Sequence, residues 1–499
     1  MLKYKELIEQ MTLEEKASLM SGKDFWQTNS IDRLNIPSMF LADGPHGVRK
    51  QMVGADHLGL NPSYPSTCFP TAVTISSTWN EEIAYELEKR VALEAIALKV
   101  SVILGPGTNI KRNPLCGRNF EYFSEDPYLA GKITASYIRG AQDQGISACV
   151  KHFACNNQEL RRMVYDVNVD ERALREIYLL PFEMAVKEGQ VKTIMTSYNM
   201  VNGLYSNENP YLLIDILRNE WGYKNFIVTD WGGNNDRVAA IKTYNSLEMP
   251  STGGETNIDI VNAVKNGELD EAILDQNVDY LLSVVFSSKE TLDKSGDTFD
   301  IDEHHNMALR CAEEGIVLLE NNGVLPLKEG NVALIGDFAE NPRYQGAGSS
   351  NVNPTKLDKL VDCIKECGFN YVGFEKGFDR YGKKSKSKAK KALKLASKAD
   401  VVIYTMGLDE VTESEGLDRK NLKIKDNQIS LLKQLHEMGK KVVVVLTTGS
   451  PVEIDFDKYC DAIILAGLPG QAGSKAILNI IEGKVNPSGK LAETYVKKI

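Results

Sequence analysis

Long apolar runs are missing from this 499-residue sequence. None approaches the ~18 residues that cross a bilayer, so no membrane partner is expected. Residues 1–11 carry charges throughout and hold no apolar segment of the kind a secretory leader needs, which makes the cytoplasm the expected compartment. Positive charge is not in excess. With 58 Lys and Arg against 68 Asp and Glu, the formal net charge is -10. That is the wrong balance for a nucleic-acid partner, which needs clustered cations. One lysine-rich stretch, Lys383 to Lys398, reads as the solvated face of a helix. The cysteines at 68, 116, 149, 155, 311, 363, 367 and 460 form no paired C-x-x-C clusters. They are expected to be reduced core thiols rather than metal ligands. The histidines at 46, 57, 152, 304, 305 and 436 show no H-x-x-x-H spacing, and no G-x-S-x-G elbow occurs. No metal and no cofactor are therefore expected.

What is present is a large soluble chain with room for two or three domains. Up to about residue 287, short apolar runs alternate with amphipathic stretches. The runs are Ser38–Asp43, Val100–Gly105, Ala148–Phe153, Thr193–Asn199, Phe226–Asp230 and Ser246–Pro250. Helical patterns lie between them, among them Glu81–Leu98, Asp170–Glu188 and Asn209–Trp221. This alternation predicts a parallel sheet, and at this length a (β/α)8-type TIM barrel over residues 1–287. The polar segment 288–303 reads as a linker. From Asn331 a second series begins, with apolar runs Val332–Gly336, Val401–Gly407, Val442–Thr448 and Ala462–Gly467. Continuous apolar strands are buried on both faces, so 304–499 is expected to form a doubly wound α/β sandwich domain.

Polar residues sit where the runs end. Asp43, Lys151, His152, Tyr198 and Asp230 all fall at or just past the C-terminal end of an apolar run. That end of a barrel carries the active site. Asp230 lies in Phe226-Ile-Val-Thr-Asp-Trp-Gly-Gly233, where Trp231 offers an indole face to a sugar ring. The alternative is an Asp that caps the next helix. Lys151 and His152 are adjacent, so both reach one ligand only if the strand ends or bulges there. Arg118 lies in Gly117-Arg-Asn-Phe-Glu-Tyr-Phe-Ser-Glu-Asp-Pro127, where Glu121 or Glu125 would fix its guanidinium. In the second half, Thr412-Glu-Ser-Glu-Gly-Leu-Asp-Arg419 sets two carboxylates in a loop that suits a general acid, although a solvated acidic turn reads the same. Gly346-Ala-Gly-Ser-Ser350 lacks the Lys-Ser/Thr of a phosphate loop and reads as a flexible loop reaching the other domain.

In collinear order these strings resemble family 3 of the glycoside hydrolases, the β-glucosidase-like enzymes. The resemblance adds Asp43-Gly-Pro-His-Gly-Val-Arg49, Gly105-Pro-Gly-Thr-Asn-Ile110, Ser197-Tyr-Asn-Met-Val-Asn-Gly203, Leu247-Glu-Met-Pro250, Gly449-Ser-Pro-Val-Glu453 and Asn486-Pro-Ser-Gly-Lys490 to those above. It implies a retaining mechanism with two carboxylates. Asp230 would be the nucleophile. Glu415, the Glu immediately before Gly416, would be the acid/base, with Glu413 as fallback. Asp43, Arg118, Lys151, His152 and Tyr198 would grip the terminal sugar, with Trp231 as its platform. The partner implied is a small carbohydrate, and a homo-oligomer stays open.

Two departures stand out. Ser246 occupies a position where many members carry Asp. The sequence ends at Ile499, where members often continue into a fibronectin type III domain, so the resemblance is to a two-domain form. The expected activity is removal of a terminal β-D-glucosyl residue. The alternatives are a β-xylosidase of the same mechanism, or a degenerate relative that binds sugar without cleaving it. Ala154-Cys-Asn-Asn157 after the Lys-His-Phe string disfavours N-acetylglucosaminidase.

Overall fold

The short apolar runs become strands in the computed structural model, which describes residues 2–52, 54–56 and 61–497; His57 lies outside them. Contacts divide the chain into two compact units. One holds Met1–Tyr64, Ala84–Ile110 and Asp126–Phe299, and the other holds Pro65–Ile83, Lys111–Glu125 and Asp300–Ile499.

The first unit is a parallel barrel of TIM type. Its strands are β1 (Leu41–Asp43), β2 (Val102–Leu104), β3 (Ser147–Phe153), β4 (Thr193–Thr196) and β5 (Phe226–Val228), hydrogen-bonded in that order. Five named strands do not close a ring. Closure comes from isolated bridges: Val228 to Leu247 and Ser21 to Glu248 in parallel, then Gly22 to Thr28 and Gln27 to Phe40 antiparallel. Phe40 leads directly into β1, which completes the circuit. β4 and β5 stop at Thr196 and Val228, short of the apolar runs that predict them, which leaves Tyr198 and Asp230 just past the strand ends. Apolar residues from β1 to β5 pack with Leu247, Met249 and the helix Glu271–Lys294 in one core. That helix takes in residues 288–294 of the segment read as a linker. Its last turns are polar because they face solvent, where Glu290 pairs with Lys294 and Lys289 with Asp293. The next helix, Ile301–Gly315, is capped by Asp300, whose side chain accepts from the N–H groups of Asp302 and Glu303.

The second unit is the doubly wound sandwich. Its strands are β6 (Val317–Asn321), β7 (Asn331–Ile335), β8 (Asn370–Glu375), β9 (Val401–Gly407), β10 (Lys441–Thr447) and β11 (Ala462–Leu465). The spatial order is β8-β7-β9-β10-β11-β6, parallel except for β6. Alternate residues of one strand enter opposite cores. Val402 and Tyr404 pack with Leu431 and Leu435, whereas Val401 and Ile403 pack with Ala476 and Ile480. Burial on both faces is why these strands read as continuous apolar runs. The lysine-rich stretch forms the helix Lys386–Ala396, which buries Ala392 and Ala396 and leaves its lysines outward.

All eight cysteines lie among the described residues, and none is in a disulfide. No helix among the described residues is long and apolar enough to cross a membrane.

Candidate active site

In the barrel unit the acidic and basic groups gather at the C-terminal strand ends. β5 stops at Val228, so Asp230 stands two residues beyond it, buried at 7% exposure. Its Oδ1 accepts from the Trp231 backbone N–H at 2.7 Å, and its Oδ2 lies 3.5 Å from His152 Nε2. One oxygen is thus held by the backbone while the other faces an imidazole.

His152 is itself held by Asn109. The Asn109 side chain accepts from the His152 N–H at 2.8 Å and donates to the His152 carbonyl at 2.9 Å, and its Oδ1 lies 3.3 Å from His152 Nδ1. Lys151 points to a different carboxylate, with Nζ 3.5 Å from Asp43 Oδ1. Two adjacent residues reach two carboxylates at one barrel end because the β3–β4 register slips between Val150 and Phe153.

Asp43 ends β1 and also lies 3.7 Å from Arg49 Nη1. Arg49 in turn reaches Asp56 at 3.2 Å. These buried charges alternate in sign, which keeps the cluster from carrying an uncompensated ion. Tyr198 donates its hydroxyl to the Trp231 carbonyl at 3.0 Å, and the Arg162 guanidinium lies 4.9 Å above its ring. Trp231 is 6% exposed, packs on Trp26 at 5.3 Å and donates its indole N–H to the Phe25 carbonyl at 2.8 Å. Burial pushes the Cys149 thiol up and that of Cys155 up to about 12. Ser246 donates to Asn277 Oδ1 at 2.9 Å, so its hydroxyl is engaged with a helix.

The sandwich unit brings Arg118 and Glu415 together. Arg118 forms two parallel bonds to Glu121, at 2.8 and 3.0 Å, and its Nη1 lies 3.6 Å from Glu415 Oε1. Glu121 is thus the carboxylate that orients the guanidinium. Glu125 instead accepts from Thr494.

The glycine-rich loop 346–350 packs closely on Phe120 and on Glu415. A Cβ on Gly346 would meet the Phe120 ring at 2.0 Å. One on Gly348, whose φ is +127°, would meet Glu415 Cβ at 2.4 Å. This close approach lets Ser349 N–H donate to Glu415 Oε2 at 2.7 Å while Glu415 N–H donates to the Ala347 carbonyl at 2.9 Å.

Glu413, two residues earlier, has a different environment. It is fully buried, 3.4 Å from Arg343, and accepts from the Gly449 N–H at 2.9 Å and the Ser450 hydroxyl at 2.5 Å. Both its oxygens serve the packing of the unit.

Sequence reading missed Asn109, Arg162 and the support of Glu415 by loop 346–350. Asn109 lay inside a recognised string without an assigned role. Nothing in the local pattern marked Arg162.

Two family models match the chain in order. The model described as the glycosyl hydrolase family 3 N terminal domain matches residues 7–284. The model described as the glycosyl hydrolase family 3 C-terminal domain matches residues 316–499. A thermostable beta-glucosidase B of Acetivibrio thermocellus is 47% identical over 99% of this chain and 66% of its own length. An exo-alpha-(1->6)-L-arabinopyranosidase of Bifidobacterium longum is 42% identical over 98% of the chain and 66% of its own length. The crystal structure of a Bifidobacterium adolescentis GH3 beta-glucosidase superposes with a TM-score of 0.93 at 42% identity, covering 98% of this chain and 71% of that one. The chain thus spans 66% of the length of both curated relatives. With both family models matched in order over strands whose ends carry the charged cluster, this chain belongs to glycosyl hydrolase family 3.

Proposed function

We propose that the chain is an exo-acting, retaining β-glycosidase that removes a terminal β-D-glucosyl residue. The observation that carries this reading is Asp230, a buried carboxylate just past a barrel strand with one oxygen fixed by a backbone N–H and the other beside His152. Asp230 would attack the anomeric carbon as the bond to the leaving oxygen breaks. Glu415 would give that oxygen its proton, and would then take one from the water that releases the sugar. Asp43, Arg118, Lys151, His152 and Tyr198 are assigned to the sugar hydroxyls, and Trp231 to the ring.

Glu415 is preferred to Glu413 on chemical grounds. A carboxyl that alternates between acid and base needs freedom to change its partner. Glu413 is committed to Arg343, Gly449 and Ser450. The name of the Acetivibrio relative supports glucose as the sugar.

A second reading rests on the Bifidobacterium longum relative, which acts on an L-arabinopyranoside. Arabinopyranose and xylose are pentoses, without the hydroxymethyl group of glucose. A panel of 4-nitrophenyl glycosides separates the readings: β-glucoside, β-xyloside and α-L-arabinopyranoside at equal concentration. The proposal expects turnover of all that bind, with the highest kcat/KM for the β-glucoside. A pentoside preference would replace the sugar assignment. Silence from folded protein, with glucose binding by calorimetry, would replace the enzyme with a binding module.

A further inference from the structure

A charged pair is costly to bury, and an apolar pair of the same volume often serves stability as well. Lys111 and Glu493 are nevertheless buried together, Nζ to Oε1 at 2.8 Å, with side-chain exposures of 0% and 5%. Burial pushes the Glu493 carboxyl up, and Lys111 pulls it back. The pair sits at the base of the 111–125 loop, which Lys111 N–H closes on the Ser124 carbonyl at 3.2 Å.

Neighbouring contacts fasten the same base to the same C-terminal segment. The Ser124 hydroxyl donates to the Ala492 carbonyl at 2.5 Å. Thr494 donates its N–H and its hydroxyl to Glu125 Oε1, at 2.9 and 2.5 Å. The tip of the loop carries Arg118. There Gly117 N–H donates to Asp418 Oδ1 at 3.1 Å, and Arg419 N–H donates to the Leu115 carbonyl at 2.8 Å. A Cβ on Gly117 would meet the Leu417 carbonyl oxygen at 1.8 Å, so the tip lies flat on the segment that bears Glu415.

We propose that Glu493 is a positioning residue: paired with Lys111, it clamps the base of the 111–125 loop and thereby holds Arg118 against Glu415. The inference rests on Glu415 being the acid/base. A merely structural pair would affect all substrates alike. A pair that positions the acid affects those whose leaving group needs a proton.

The test uses the full chain with Glu493→Gln and Lys111→Met, each assayed on 4-methoxyphenyl and 2,4-dinitrophenyl β-glucosides. With the methoxyphenyl substrate, kcat/KM should fall about 10- to 100-fold, the scale expected when a reacting group is misplaced by about 1 Å. The dinitrophenyl substrate, whose leaving group needs little acid help, should lose only what Arg118 gives to the sugar, so its loss should be about tenfold smaller than that of the methoxyphenyl substrate. Equal losses on both substrates, or none on either, would overturn the proposal. Should a buried-pair variant fail to fold, Thr494→Val and Ser124→Ala read the same ratio from the rest of the clamp, and an unmoved ratio there overturns it as well. A wild-type chain that cleaves neither substrate would remove the glycosidase reading itself, and this inference with it. Wild-type turnover with an unmoved ratio removes only the inference.

Discussion

The two units hold their carboxylates in opposite ways. In the barrel, Asp43 is the last residue of a hydrogen-bonded strand, and Asp230 stands two residues past another, its carboxylate held by the Trp231 N–H. In the sandwich, Glu415 stands in a loop and is held by another loop through Ser349 and Ala347 and by Arg118. A strand end is a rigid mount that tolerates little adjustment. A loop pinned by a few hydrogen bonds can let its carboxylate change partner, which suits a group that gives up a proton and takes it back. Glu413 sharpens the contrast, because a carboxylate of the same loop is locked into the core of the unit.

The largest effect should come from the rigid mount. Asp230→Ala should lower kcat on every glycoside by on the order of 10⁴-fold, with the circular dichroism spectrum unchanged. Loss of fold instead would recast Asp230 as a structural cap. Next, Glu415→Ala should lower kcat/KM on the methoxyphenyl glucoside by about 10²- to 10⁴-fold, the range for general acid catalysis, and spare the dinitrophenyl glucoside. Glu413→Ala should reverse that pattern. It leaves the buried Arg343 without its carboxylate, a loss of about 3–5 kcal/mol in denaturant unfolding, while the folded fraction keeps its discrimination between leaving groups. If Glu413→Ala spared stability and destroyed acid catalysis, the two roles would have to be exchanged.

Part of the fold and of the candidate site is legible in the sequence. Asp43, Lys151, His152, Tyr198 and Asp230 were legible because an apolar run that stops at a polar residue is a local signal. The doubly wound sheet was legible for a similar reason, since its strands are apolar at every position. The closure of the barrel was not. It depends on single bridges at Ser21, Gly22 and Gln27, too short to leave a periodic pattern. The support that loop 346–350 gives Glu415 was hidden as well, because Gly346 and Gly348 look flexible in sequence and are in fact the positions where a Cβ would collide. The helical character of residues 288–294 was masked by their polarity, which belongs to the solvent face of a helix.

The smallest expected effect lies away from both carboxylates. Glu88 is fully buried against Tyr137, and burial holds its carboxyl well above the ordinary range. Its proton is kept in the folded state and released from the unfolded one as pH rises. The native contribution is therefore present below the unfolded pKa and is lost as pH climbs toward the folded value. Glu88→Gln keeps the size and shape of the side chain and removes that titration. The Tm of the variant relative to wild type should rise between pH 4 and pH 8. A constant difference would show that Glu88 is not protonated when buried.

As nucleophile, Asp230 would form a covalent bond to the sugar. Incubation with 2,4-dinitrophenyl 2-deoxy-2-fluoro-β-D-glucoside, followed by intact mass and peptide mapping, tests it directly. One fluoroglucosyl group on the peptide that contains Asp230, absent from Asp230→Ala, is the predicted result. Active enzyme that accumulates no adduct, or carries it on another carboxylate, would contradict the account.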